Sequence, residues 1–177
     1  MIAFRSLNIV ALLLCLAVVV FGAYVRLADA GLGCPDWPGC YGHVGVPEAD
    51  HDVAKAQQKF PQRPVEAHKA WKEMIHRYLA STLGLLVVAL AVLSRRVPQA
   101  PRRLPWFLVG LVVFQGLLGM WTVTWQLKPI VVTAHLFGGL TTLSLLAWML
   151  LWTWRSRYSR KKLPERDRLR RVEPPFT

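Results

Sequence analysis

The sequence predicts an all-α integral membrane protein, an antiparallel bundle of four transmembrane helices, on three observations. First, 54% of the 177 residues are hydrophobic although 18% are charged, and mean hydropathy is +0.32; such a chain keeps its apolar residues in runs apart from its charges. Second, four such runs, 8–25, 74–93, 105–125 and 130–154, each approach the roughly 20 residues that a helix needs to cross about 30 Å of hydrocarbon. None alternates as a barrel strand does, so helical hydrogen bonds must satisfy their backbones. Third, the net charge of +12 is unevenly placed. Arg95, Arg96, Arg102 and Arg103 stand between the second and third runs with no acid, and nine basic residues lie between Arg155 and Arg171. The segment 27–72 carries five basic and six acidic residues, and the last turn only Lys128. The positive-inside rule then puts both termini and the arginine-rich connection in the cytoplasm, and the first and third connections outside. Basic residues directly beside apolar spans are explained by orientation and anionic membrane lipid, so no nucleic acid is expected as a partner.

The first run also resembles a signal peptide, because Arg5 precedes it and Ala28-Asp29-Ala30 follows it. Cys15, deep inside it, reads as a small core hydrophobe. The outer loop, 27–72, is long enough to suggest function. Its first part is rich in Gly, Pro, Trp and Cys; its second, 46–62, is polar and charged. Pro64 suits a helix start leading into the second run. The next connection is punctuated by Pro98, Pro101 and Pro105, and the last is a few residues around Lys128-Pro129; short connections make consecutive helices antiparallel neighbours. We therefore expect one transmembrane domain, 1–154, followed by a basic cytoplasmic tail, 155–177, solvated and without fixed order.

Ionisable residues inside a membrane are functional hypotheses by default. His76 lies about three residues from the outer edge of the second run and His135 about five from the start of the fourth, so at ~1.5 Å per residue the two share a depth. Each has small residues on its own helix face: Ala80 and Gly84 for His76, and Gly138, Gly139 and Thr142 for His135. Two imidazoles on facing helices can be the axial pair of a heme iron, or each can hydrogen-bond across the bundle. Glu73, one turn outward from His76, is either a proton acceptor or an interfacial charge paired with Arg77 or Lys69; spacing alone favours the pair. Cys34 and Cys40 can close a tight disulfide outside the cytoplasm, whereas their spacing suits a zinc knuckle poorly, with only His43 as a further ligand.

These residues resemble a known family. Gly22-Ala23-Tyr24-Val25-Arg26-Leu27 leads into Gly31-Leu32-Gly33-Cys34-Pro35-Asp36-Trp37-Pro38-Gly39-Cys40-Tyr41-Gly42; then come Glu73-x-x-His76-Arg77, Gln115-x-x-Leu118-Gly119, Thr122-Val123 and Leu127-x-Pro129, followed by His135. In that order they resemble the N-terminal half of heme A synthases over roughly residues 15 to 145. The resemblance implies that the first run is retained, that His76 and His135 ligate heme iron (its metal ligands), that Glu73 is the catalytic acid, and that Cys34 and Cys40 form a disulfide. It implies an oxidoreductase acting on a CH or CH2 group, which oxidises the C8 methyl of heme O to the formyl of heme A by successive hydroxylations and loss of water, for the biogenesis of terminal heme-copper oxidases. Heme O would be substrate and heme A product, heme b being possible at the site, and a redox partner would exchange electrons. The membrane would be the bacterial inner membrane. Arg26 and Arg77 suit heme propionates, since guanidinium pairs well with carboxylate. One departure is large: the family usually has eight spans in two similar halves, and this sequence has one half. A homodimer or a second half-size subunit would supply the other, or the chain is a truncated gene product. The rival functions are a b-type membrane electron carrier and a half-length, non-catalytic assembly protein.

Overall fold

A computed structural model describes residues 1–97 and 100–161, excepting the side chains of 155–161. Its helices are α1 (Ile2–Leu27), α2 (Asp50–Lys59), α3 (Ala67–Arg96), α4 (Arg103–Thr124) and α5 (Pro129–Lys161), and no strand is formed among the described residues. All but α2 are long and apolar enough to cross a membrane. The protein is a multi-pass, all-α membrane protein, as the apolar runs predict.

The helices reach beyond the runs because charge at a rim does not end a helix. Thus α1 begins at Ile2 rather than near Asn8, α3 takes in Lys69 and Lys72 at one end and Arg95 and Arg96 at the other, and α5 continues past Trp154 to Lys161. Residues 162–177 of the expected tail, with Pro98 of the arginine-rich connection, lie outside the described residues. Helix α2 answers to no apolar run. Only Ala56 is buried in it, and Asp50 and Asp52 in its first turn with Lys59 in its last complement the helix dipole.

Helix α1 packs on α3 and α5, and α4 packs on the same two; among the described residues neither diagonal pair, α1 with α4 or α3 with α5, comes together. The four spans therefore form a square ring. Its antiparallel order shows between α1 and α5, where Arg5 donates to the Thr153 carbonyl at one end and Val19 lies against Gly139 towards the other. Asn8 adds a bond from Nδ2 to the Leu146 carbonyl at 3.3 Å. The first run is thus a wall of the bundle.

Two apolar cores flank a middle layer. One, with Phe4, Cys15, Leu83, Leu90, Leu108, Leu146 and Met149, fills the half nearer the arginine-rich connection. The other, with Cys34, Cys40, Tyr41, Ala70 and Met74, lies under the long loop. Leu13, Val20, Leu85, Val113, Phe137 and Leu151 point outward and exposed, as lipid-facing side chains do. Arg95 lies over Trp106 at one end (4.4 Å to the ring centroid) and Lys128 over Trp125 at the other (5.4 Å); such cation–π pairs suit the two interfaces.

Candidate functional site

The loop end is built first by the covalent bond between Cys34 and Cys40; neither sulfur is left for zinc. The ring it closes is braced by paired backbone bonds between Cys40 and His43, at 2.8 and 3.0 Å, and by the Asp36 carboxylate, which accepts from the Tyr41 and Gly42 N–H groups at 2.6 and 2.7 Å. Tyr41 donates to the Pro64 carbonyl at 2.9 Å, and burial raises its phenol pKa further above neutrality, keeping it a donor. Glycine lets this loop lie on α3: a Cβ on Gly33 would stand 2.6 Å from the Lys69 backbone carbon, a separation no packing tolerates. Gly33→Ala should therefore lift the loop, costing about 1–3 kcal/mol as an overpacked site does. Limited proteolysis checks it: segment 28–45 should be cut faster than in the parent.

Glu73 and Arg77 fasten the loop from below. Glu73 is buried, its Oε2 accepting the Cys34 N–H at 2.9 Å and its Oε1 paired with Arg77. Arg77 also donates to the carbonyls of Asp36, Pro38 and Gly39, at 3.1, 3.2 and 2.6 Å. The pair favoured by spacing is present, but it is buried rather than exposed, because the loop folds over it.

Below this lid lies the histidine layer. His76 is on α3 and His135 on α5, diagonal helices whose backbones do not approach one another among the described residues. In each ring Nδ1 is sealed from solvent without a hydrogen-bond partner. The adjacent helices meet the rings with bare backbone. A Cβ on Gly22 of α1 would lie 2.8 Å from His76 Cε1, and one on Gly119 of α4 would lie 3.6 Å from His135 Cε1. Phe21 stacks on His76, centroids 6.5 Å apart and planes 28° from parallel. Gln115 of α4 presses its side chain on Gly138, and its Nε2 is a third sealed, unpartnered polar atom.

Buried polar atoms without partners are rare, and three stand in this layer, two of them imidazole nitrogens on opposing helices, so the layer carries polar groups that the protein alone does not satisfy, as residues that would hold a heme do. Arg26 is exposed at the loop end of α1, while the terminal nitrogens of Arg77 are occupied as described. Of the small residues beside the histidines, Gly138 and Gly139 give close packing of Gln115 from α4 and Val19 from α1, and a Cβ on Gly84 would meet nothing within 4 Å. Gly22, Gln115 and Gly119 stand in the family motifs without a role there; their signal was a glycine or amide inside an apolar run.

Comparison with known proteins decides the family. Residues 5–174 match the COX15-CtaA family model, described as cytochrome oxidase assembly protein. The chain belongs to this family. It is 56% identical over 144 residues to a heme A synthase of Shewanella oneidensis, covering 81% of this chain and 44% of that protein. It is 32% identical over 160 residues to one of Caulobacter vibrioides, covering 78% and 46%, and 30% identical over 138 residues to one of Shouchella clausii, covering 76% and 40%. This COX15-CtaA member thus spans about half the length of the curated relatives it matches. Its four-helix ring, loop disulfide and histidine layer lie within the matched residues.

Proposed function

We propose that this protein is a heme A synthase-type oxidoreductase, acting on a CH or CH2 group, whose domain 1–154 holds heme O between His76 and His135 and converts its C8 methyl to the formyl of heme A for terminal oxidase biogenesis. The observation that carries this reading is the pair of imidazoles on diagonal helices, each with a buried Nδ1 that finds no hydrogen-bond partner. When bound, the iron supplies the redox chemistry and a redox partner exchanges the electrons. The protein's part is to ligate through His76 and His135, to exclude water with the loop above them, and to hold charge at Glu73. That carboxylate, one turn towards the loop from His76, is proposed as the site of proton exchange. Arg26 is the free guanidinium for a propionate; Arg77 acts behind it through the loop. The charge pattern supports a bacterial inner membrane protein with cytoplasmic termini and the site towards the outside. A second copy of the chain or another half-size subunit is the proposed source of the other half.

A b-type electron carrier is the second reading, and one observation favours it: both oxygens of Glu73 are already engaged in holding the loop. The test purifies the protein in mild detergent and identifies its extracted heme by chromatography. Heme O or heme A is the expected result; heme B alone would establish the carrier, and a preparation without heme would sink both. Cells bearing Glu73→Gln, which keeps the size and an acceptor for Cys34, should convert heme O to heme A at least tenfold more slowly if proton transfer at this group contributes as general acid–base catalysis does, roughly 10²–10⁴-fold. Unchanged conversion would remove Glu73 from the chemistry.

A further inference from the structure

We propose that Gly22, with Phe21 beside it, is the seat of the His76 imidazole, a positioning residue that fixes this member of the ligand pair. The inference rests on the reading of His76 and His135 as axial ligands and deepens it. Apart from proline, glycine is the poorest helix former, yet it stands inside the apolar α1, where it faces the ring itself. A Cβ at this position would lie 2.8 Å from His76 Cε1 and 3.4 Å from both Nδ1 and Nε2. A methyl group would therefore clash with Cε1 while touching both ring nitrogens, so the imidazole would have to shift. Phe21 stacks at 6.5 Å, so the same helix supplies an aromatic ring and bare backbone to one imidazole. With no hydrogen bond at the buried Nδ1, packing alone orients the ring, and ligand orientation that is usually set by a hydrogen-bonded outer partner is set here by α1.

At His135 the steric contact with glycine is looser. A Cβ on Gly119 would lie 3.6 Å from its Cε1, an ordinary contact that an alanine could make without moving the ring. Steric constraint at Gly22 and slack at Gly119 distinguish two ligands that the sequence presents as equivalent.

The test compares the parent with Gly22→Ala, Gly119→Ala and Gly110→Ala, the last an exposed glycine of α4 with open space around it. Each is purified in detergent and measured for heme per chain, low-spin electron paramagnetic resonance signal and heme midpoint potential, with elution volume and helical circular dichroism as checks on folding. Gly22→Ala should lose at least about tenfold in heme retention or convert its low-spin signal to high spin, an effect of the size seen when a ligand's orienting partner is removed. Gly119→Ala should retain clearly more, and Gly110→Ala should match the parent. A folded Gly22→Ala with the parent's heme content, spin state and potential overturns the proposal. If Gly22→Ala does not fold, Phe21→Ala decides, since it adds no volume: an altered spin state or potential supports the seat, and an unaltered one overturns it. A parent without heme fails in the underlying reading, and the proposal falls with it.

Discussion

His76→Ala and His135→Ala are each expected to leave detergent extraction without bound heme while eluting as the parent does. Two histidines inside a bundle can instead be hydrogen-bonding glue, and transmembrane glue of that kind contributes about 0.6–2 kcal/mol per bond. Neither Nδ1 has a hydrogen-bond partner, so truncation breaks no bond at that atom and should leave the bundle intact. Loss of an axial ligand removes a coordinate bond that nothing nearby replaces. Reduced-minus-oxidised spectra, read beside thermal unfolding, tell the two roles apart. Variants that keep the parent's heme spectrum would end the ligand assignment, and variants that lose stability but not heme would establish the glue.

Removing Arg77 should be the most destabilising single change at the loop end. Arg77→Ala leaves the Glu73 carboxylate buried beside Cys34 without its cation and strips donors from three loop carbonyls. Breaking a buried pair from one side typically costs about 3–5 kcal/mol, because an uncompensated charge remains. Glu73→Gln should cost less, since the amide oxygen still accepts the Cys34 N–H and no charge is stranded, and the double variant Glu73→Gln/Arg77→Ala should recover part of the loss. Thermal unfolding in detergent ranks the three. An Arg77→Ala protein as stable as Glu73→Gln would show that the pair does not hold the loop.

The spans were legible because lipid demands long apolar runs, and their order and antiparallel sense followed from charge and short connections. Pro64 announced the early start of α3, but the other helix ends were not legible, since Arg5 and Arg96 continue helices that hydropathy would stop. Helix α2 left no signal, as a polar helix with only Ala56 buried has no apolar stripe. Of the site, the two histidines were readable as ionisable groups of equal depth, but their surroundings were not. The glycines that matter most, Gly22 and Gly119, come from neighbouring helices, and contact between helices is not written in the spacing along either. The burial of Glu73 likewise depends on a loop folded back by a disulfide and on Gly33 lying against α3, both distant in sequence.

The square ring carries a thermodynamic consequence. A molecule held by both His76 and His135 would tie together α3 and α5, whose backbones do not meet across the diagonal among the described residues, so the folding equilibrium would be linked to the concentration of that molecule. At a hundredfold excess over its dissociation constant such a ligand adds about 2.7 kcal/mol to the folded state. The lifetime of this protein in the membrane would then rise and fall with tetrapyrrole supply, making its abundance a readout of the material it handles.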